Sequence, residues 1–148
     1  MNSSFLLMLS FSVGVLVVIQ GSINARLGIL LNNSLLATSI AMVMSAVLTI
    51  VAVFTTVRQL PALSRLQVVP AYMWFTGGLL SFIAVSLFYY IIPRVGIATA
   101  VTFGLSGQIL FAAVAGHFGW FGMPVEPFTA RKLIGVIIMI TGIIIIKS

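Results

Sequence analysis

"MNSSFLLMLSFSVGVLVVIQ", Met1–Gln20, poses the choice on which the fold depends: a removable secretory leader or a helix that stays in the membrane. A leader carries basic residues before its apolar core and a small-residue cleavage site behind it. No Lys or Arg precedes this run, and the nearest small-residue pattern, Ile23 with Ala25, is a weak one. The segment therefore reads as a retained helix. Its apolar run reaches Asn24 or a turn beyond, enough for the roughly 20 residues that cross a hydrocarbon core.

The rest of the chain repeats that pattern. Of 148 residues, 61% are apolar and 5% charged, against about half and a quarter in soluble domains, so the chain reads as an all-α integral membrane protein. Five transmembrane helices are expected, at about 5–26, 35–57, 71–92, 96–118 and 130–146, in a single domain covering 1–148. "LLNNS", with Asn32 and Asn33, separates the first two. Pro93 in "PRVG" is expected to stop the third, because proline has no N–H to continue the helix. The Gly- and Pro-rich "GWFGMPVEPFTARK" precedes the fifth, which is short.

A net charge of +6 suggests nucleic acid in a soluble chain, but here the basic residues stand singly between apolar runs, as at membrane edges. No nucleic-acid partner is expected. Five spans put Arg58, Arg65, Arg131 and Lys132 on the side of the N-terminus and Arg26, Arg94 and Lys147 on the other. Four against three is a weak orientation signal, and a chain that inserts both ways up can pair with an inverted copy; equally, Arg58 and Arg65 in the longest loop can fix the N-terminus inside. Five thin helices enclose little space, so an antiparallel dimer is expected, with the symmetry that inverted-repeat transporters build into one chain.

Polar groups within the oily spans are the candidate site. Gln20 and Asn24 lie four residues apart, hence on one face of the first helix. Gln108, preceded by Ser106 and Gly107, falls near the middle of the fourth, where transporters hold substrate. Each also has a plainer reading as an interhelical hydrogen bond. Tyr89 and Tyr90 occupy different faces, so one of them turns inward, and Tyr89 joins Gln20, Asn24, Ser106 and Gln108 as a candidate solute contact. His117, the single histidine, is a possible titratable group or an edge residue that caps a helix. Trp74, Tyr89, Tyr90 and Trp120, near span ends, also fit an interfacial aromatic belt. Gly135 and Gly142, seven apart on one face of the fifth helix, are candidate dimer-interface residues; Gly77, Gly78 and Ser81 form a similar small face on the third.

There is no Cys and no Asp, and the single acid, Glu126, sits between prolines outside the spans. No disulfide, metal site, cofactor or catalytic residue is expected, and an enzyme reading has no support. The embedded carboxylate on which proton- or cation-coupled carriers rely is missing.

The motifs "PRVG" (Pro93–Gly96), "SGQ" (Ser106–Gln108), "HFG" (His117–Gly119), Arg131 with Gly135 and Gly142, "QGSINARLG" (Gln20–Gly28) and Gly77–Gly78 together resemble the YdcZ-like family of small bacterial inner-membrane proteins, within the drug/metabolite transporter superfamily. The resemblance covers nearly the whole chain. It implies five helices, dual or opposed topology, antiparallel dimers or fused relatives, and export of small molecules. Family members commonly carry an aspartate directly before "HFG", where this chain has Gly116; if that acid couples transport to protons in relatives, coupling here uses another group, comes from a partner chain, or is lost.

The leading expectation is a small-molecule exporter of the bacterial inner membrane, half of a homodimer or of a pair with a related chain, surrounded by lipid and working by alternating access. A passive ion or solute channel and a non-transporting partner subunit are the other two classes.

Overall fold

The computed structural model describes residues 3–122 and 124–147, without the side chains of Ile146 and Lys147. The Lys147 side chain, counted above among the basic groups, thus lies outside the described residues. All regular structure among them is helical: α1 Ser3–Leu30, α2 Ser34–Thr56, α3 Leu63–Gln67, α4 Met73–Val95, α5 Ile97–Phe118 and α6 Ala130–Lys147, with a short 3-10 turn at Trp120–Gly122. Four of these, α1, α2, α4 and α5, are long and apolar enough to cross a membrane. The apolar stretch of α6 between Lys132 and Lys147 has 14 residues, about 21 Å of helix against a core of about 30 Å.

The chain divides into two compact units, Met1–Arg94 and Val95–Ser148. In the first, α1 and α2 form a tight hairpin whose turn is written into the asparagines. Asn32 takes the left-handed conformation at φ 50°, which Asn tolerates better than most residues. Asn33 caps α2, its Oδ1 accepting from the Leu35 and Leu36 amides at 2.9 and 3.3 Å. That satisfies two donors which lipid would leave bare. Gly28 lets the hairpin close, since a Cβ there would stand 3.3 Å from the Ser34 Cα. Ala37 and Thr38 are buried beneath it.

Helix α4 contributes side chains to α1 through Phe88, Tyr89 and Ile92. A Cβ on Gly21 would come within 2.8 Å of the Phe88 ring, so glycine makes the room that the ring fills. Contrary to the expected stop at Ile92, α4 runs through Pro93 to Val95. Proline removes one donor but its φ is helical, and in the last turn the freed carbonyl is near an end where carbonyls lack partners anyway. Gly96, at φ 84°, then turns the chain into α5.

In the second unit α5 packs against α6 and the 3-10 turn. Gly119 closes α5 in the left-handed conformation, its N–H donating to the Ala115 and Gly116 carbonyls. Phe111, Phe118, Trp120 and Phe121 cluster there, with Phe118 stacked on Trp120 at 5.9 Å. Such a cluster suits the headgroup boundary.

Candidate functional site

Hydroxyls on these helices mostly serve their own backbone. Ser10, Ser12, Ser22, Thr38, Thr102, Ser106 and Thr141 each donate to the carbonyl four residues earlier. This is the local bond open to Ser and Thr within a helix, and it removes the cost of a bare hydroxyl in lipid. Against that background two features of the first unit stand out.

The first is a hydrogen bond between helices 65 residues apart in sequence: Asn24 Nδ2 donates to the Tyr89 hydroxyl at 3.0 Å. Tyr89 and its α1 neighbour Ala25 are each 2% exposed. The second is the Ser86 hydroxyl, one turn before Tyr90, which is buried and has no partner. An unsatisfied buried hydroxyl costs about 1–3 kcal/mol, so it persists where a ligand or water supplies the bond or where another need outweighs the loss.

Both features border an open cleft of about 730 Å³ between the α1–α2 turn and the last two turns of α4. Its polar lining comes from Asn32, Asn33, Ser34, Ser86, Tyr89 and Arg94. The Arg94 guanidinium lies 3.4 Å from the centre of the Tyr90 ring and donates to the Tyr90 carbonyl. Stacking of this kind orients the cation without neutralising it.

Of the residues singled out from the sequence, Asn24 and Tyr89 are brought together. Tyr90 is exposed but also lines the cleft. Gln20 lies one turn before Asn24 but is exposed, and it is absent from the cleft wall. Ser106 and Gln108 belong to the second unit; Ser106 is spent on the Thr102 carbonyl at 2.6 Å, and Gln108 is exposed. In the sequence Ser86 reads as an ordinary small helix residue and Arg94 as a membrane-edge charge within the "PRVG" motif. Their only sequence signal was shared spacing: Ser86, Tyr89, Tyr90 and Arg94 recur at three- and four-residue steps along one side of α4.

In the second unit His117 Nδ1 accepts from the Phe128 amide at 3.1 Å. The Glu126 amide donates to the Gly116 carbonyl at 2.8 Å, and Glu126 pairs with Lys132 at 2.9 Å. The chain's one acid is thereby laid against α5 at Gly116, where its Cβ would be 3.7 Å from a Cβ on the glycine. Gly116, Glu126 and Lys132 border a smaller groove of about 410 Å³ with Gly135 and Met139 of α6. Gly135 and Gly142 have open space where a Cβ would be, as do Gly77 and Gly78.

Helices of crossing length, hydroxyls bonded to their own backbone and a polar-lined cleft define a small multi-pass membrane protein. Residues 5–145 match the family described as "Putative inner membrane exporter, YdcZ". The chain belongs to this family and is a multi-pass inner-membrane protein of the transporter class. No curated protein and no solved structure matches it.

Proposed function

We propose that the chain is half of a small-molecule exporter that works by alternating access as an antiparallel dimer, with α6 as its fifth span. The observation that carries this reading is the α1–α4 cleft, where the Asn24–Tyr89 bond and the unpartnered Ser86 hydroxyl border a volume suited to a small solute. Asn24 and Tyr89 are the solute contacts of this cleft; Gln20, and in the second unit the mid-span Ser106 and Gln108, are further proposed contacts within the assembly. A midplane amide exposed to hydrocarbon is costly, so Gln20 and Gln108 find partners in the assembly or its solute. Helix α6 crosses despite its 14-residue apolar run because Arg131 and Lys132 extend toward the headgroups and the bilayer thins locally. Its open glycines, Gly135 and Gly142, receive the inverted copy.

A passive channel is the second reading, favoured because the single acid, Glu126, lies before α6 and no span holds a carboxylate. Flux of a solute panel in proteoliposomes, beside electrical recording, decides between them. The exporter reading expects saturable flux without unitary currents, reduced in Asn24→Ala and Gln108→Ala. Unchanged flux in both variants rejects the site, and unitary currents reject the carrier.

A further inference from the structure

The α1–α4 cleft carries a charge imbalance that selects its ligand. Arg94 is an exposed guanidinium on the cleft wall, and no Asp or Glu occurs anywhere in Met1–Val125. The one acid of the chain, Glu126, is already paired with Lys132 in the other unit. Of the five guanidinium N–H donors, the Tyr90 carbonyl takes one, and the ring beneath holds the plane in place. Two other groups of the cleft wall are of matching kind: the Ser86 hydroxyl lacks a partner, and the Tyr89 hydroxyl, which accepts from Asn24, keeps its own proton to donate. A cation held over a ring with donors to spare, on a cleft wall that also carries two hydroxyls and no carboxylate, is a set of groups suited to a planar or tetrahedral oxyanion.

We propose that the cleft binds small oxyanions, carboxylate or phosphate, with Arg94 as the charged contact and Ser86 and Tyr89 as neutral donors. The proposal rests on the cleft being the solute site of the exporter and gives that solute its charge class; the same chemistry also fits the phosphate of an anionic lipid headgroup entering through the open side.

The test is binding, measured apart from flux. Full-length protein in vesicles of phosphatidylcholine alone is titrated with benzoate, inorganic phosphate and tetraphenylphosphonium by isothermal calorimetry; a second set of vesicles includes one-fifth phosphatidylglycerol. Benzoate or phosphate is expected to bind in neutral vesicles and tetraphenylphosphonium is not. Arg94→Gln weakens binding roughly ten-fold or more, Arg94→Lys by less, and Ser86→Ala a few-fold. Arg26→Gln, which removes an exposed α1 cation that does not line the cleft, leaves it unchanged. If the headgroup is the ligand, neutral vesicles show no anion binding, and spin-labelled phosphatidylglycerol is immobilised by the wild type and released by Arg94→Gln. The proposal is overturned if the cation binds and the anions do not, if Arg26→Gln and Arg94→Gln weaken binding equally, or if neither anions nor phosphatidylglycerol respond to Arg94→Gln in protein that keeps its helical content. Oxyanion binding without flux leaves the site in place and removes the exporter reading; flux of cations through the same cleft does the reverse.

Discussion

Gly21 and Gly28 of α1 and Gly135 and Gly142 of α6 are used in opposite ways. Gly21 is filled by the Phe88 ring and Gly28 by the α1–α2 turn, so these two are spent on contacts inside Met1–Arg94, whereas Gly14, Gly77 and Gly78 of the same unit meet nothing within 4 Å. In Val95–Ser148, Gly135 and Gly142 meet nothing within 4 Å, and the loop between α5 and α6 is held to both helices, Glu126 to Gly116 and to Lys132, and Phe128 to His117. A small residue in a membrane helix marks a close approach. Where the chain itself does not supply the approaching group, the proposed inverted copy does.

That contrast is sharpest at Gly21. Gly21→Val drives a branched side chain into Phe88 and is expected to cost about 1–3 kcal/mol, as overpacking does, whereas Gly135→Ala changes the stability of the isolated chain by less than about 0.5 kcal/mol. Thermal unfolding of monomeric protein in detergent checks both, and equal losses would erase the distinction. Next in size, Asn24→Ala removes the one side-chain bond from α1 to α4 and should cost about 0.6–2 kcal/mol; Tyr89→Phe, losing the same bond without the ring's packing, should match it closely in the same assay. In the second unit, His117→Ala strips the Phe128 amide of its acceptor. Exchange of that amide should quicken several-fold, with little change in global stability because the bond is exposed. Smallest is Glu126→Gln: its pair with Lys132 has side chains 42% and 70% exposed, so the loss stays under about 1 kcal/mol and shrinks as salt is added.

Much of the helical layout was legible because hydrocarbon enforces it. Runs of apolar residues admit few structures other than helices, and "LLNNS" spells out its turn in two residues with local reasons to bend the chain. Pro93 misled, since its effect depends on how much helix follows it, and only two residues do. In the candidate cleft, Asn24 and Tyr89 were each visible as polar groups in oil, but their bond joins positions 65 residues apart and needs the packing of α4 on α1. Ser86 was invisible because its sequence context matches that of the serines whose hydroxyls go to their own backbone; the orphaned hydroxyl exists only once the helices are in place. Glu126, a loop acid in the sequence, proved to be pinned beside Gly116, the position at which the family resemblance marked a missing acid.

The central claim, that the open glycine face of α6 receives an inverted copy, has a geometric signature. Gly135 and Gly142 lie the same distance to either side of the midpoint of Ala130–Lys147, so when two α6 helices pack antiparallel with their centres aligned, Gly135 of one copy faces Gly142 of the partner subunit. In a parallel pair each faces its own counterpart. The chain has no cysteine, so Gly135→Cys and Gly142→Cys chains carrying different tags can be co-expressed and oxidised in native membranes without interference. The account predicts the mixed disulfide as the main product, with few like-with-like links; cross-linking only between identical positions, or none while a dimer persists, would contradict it.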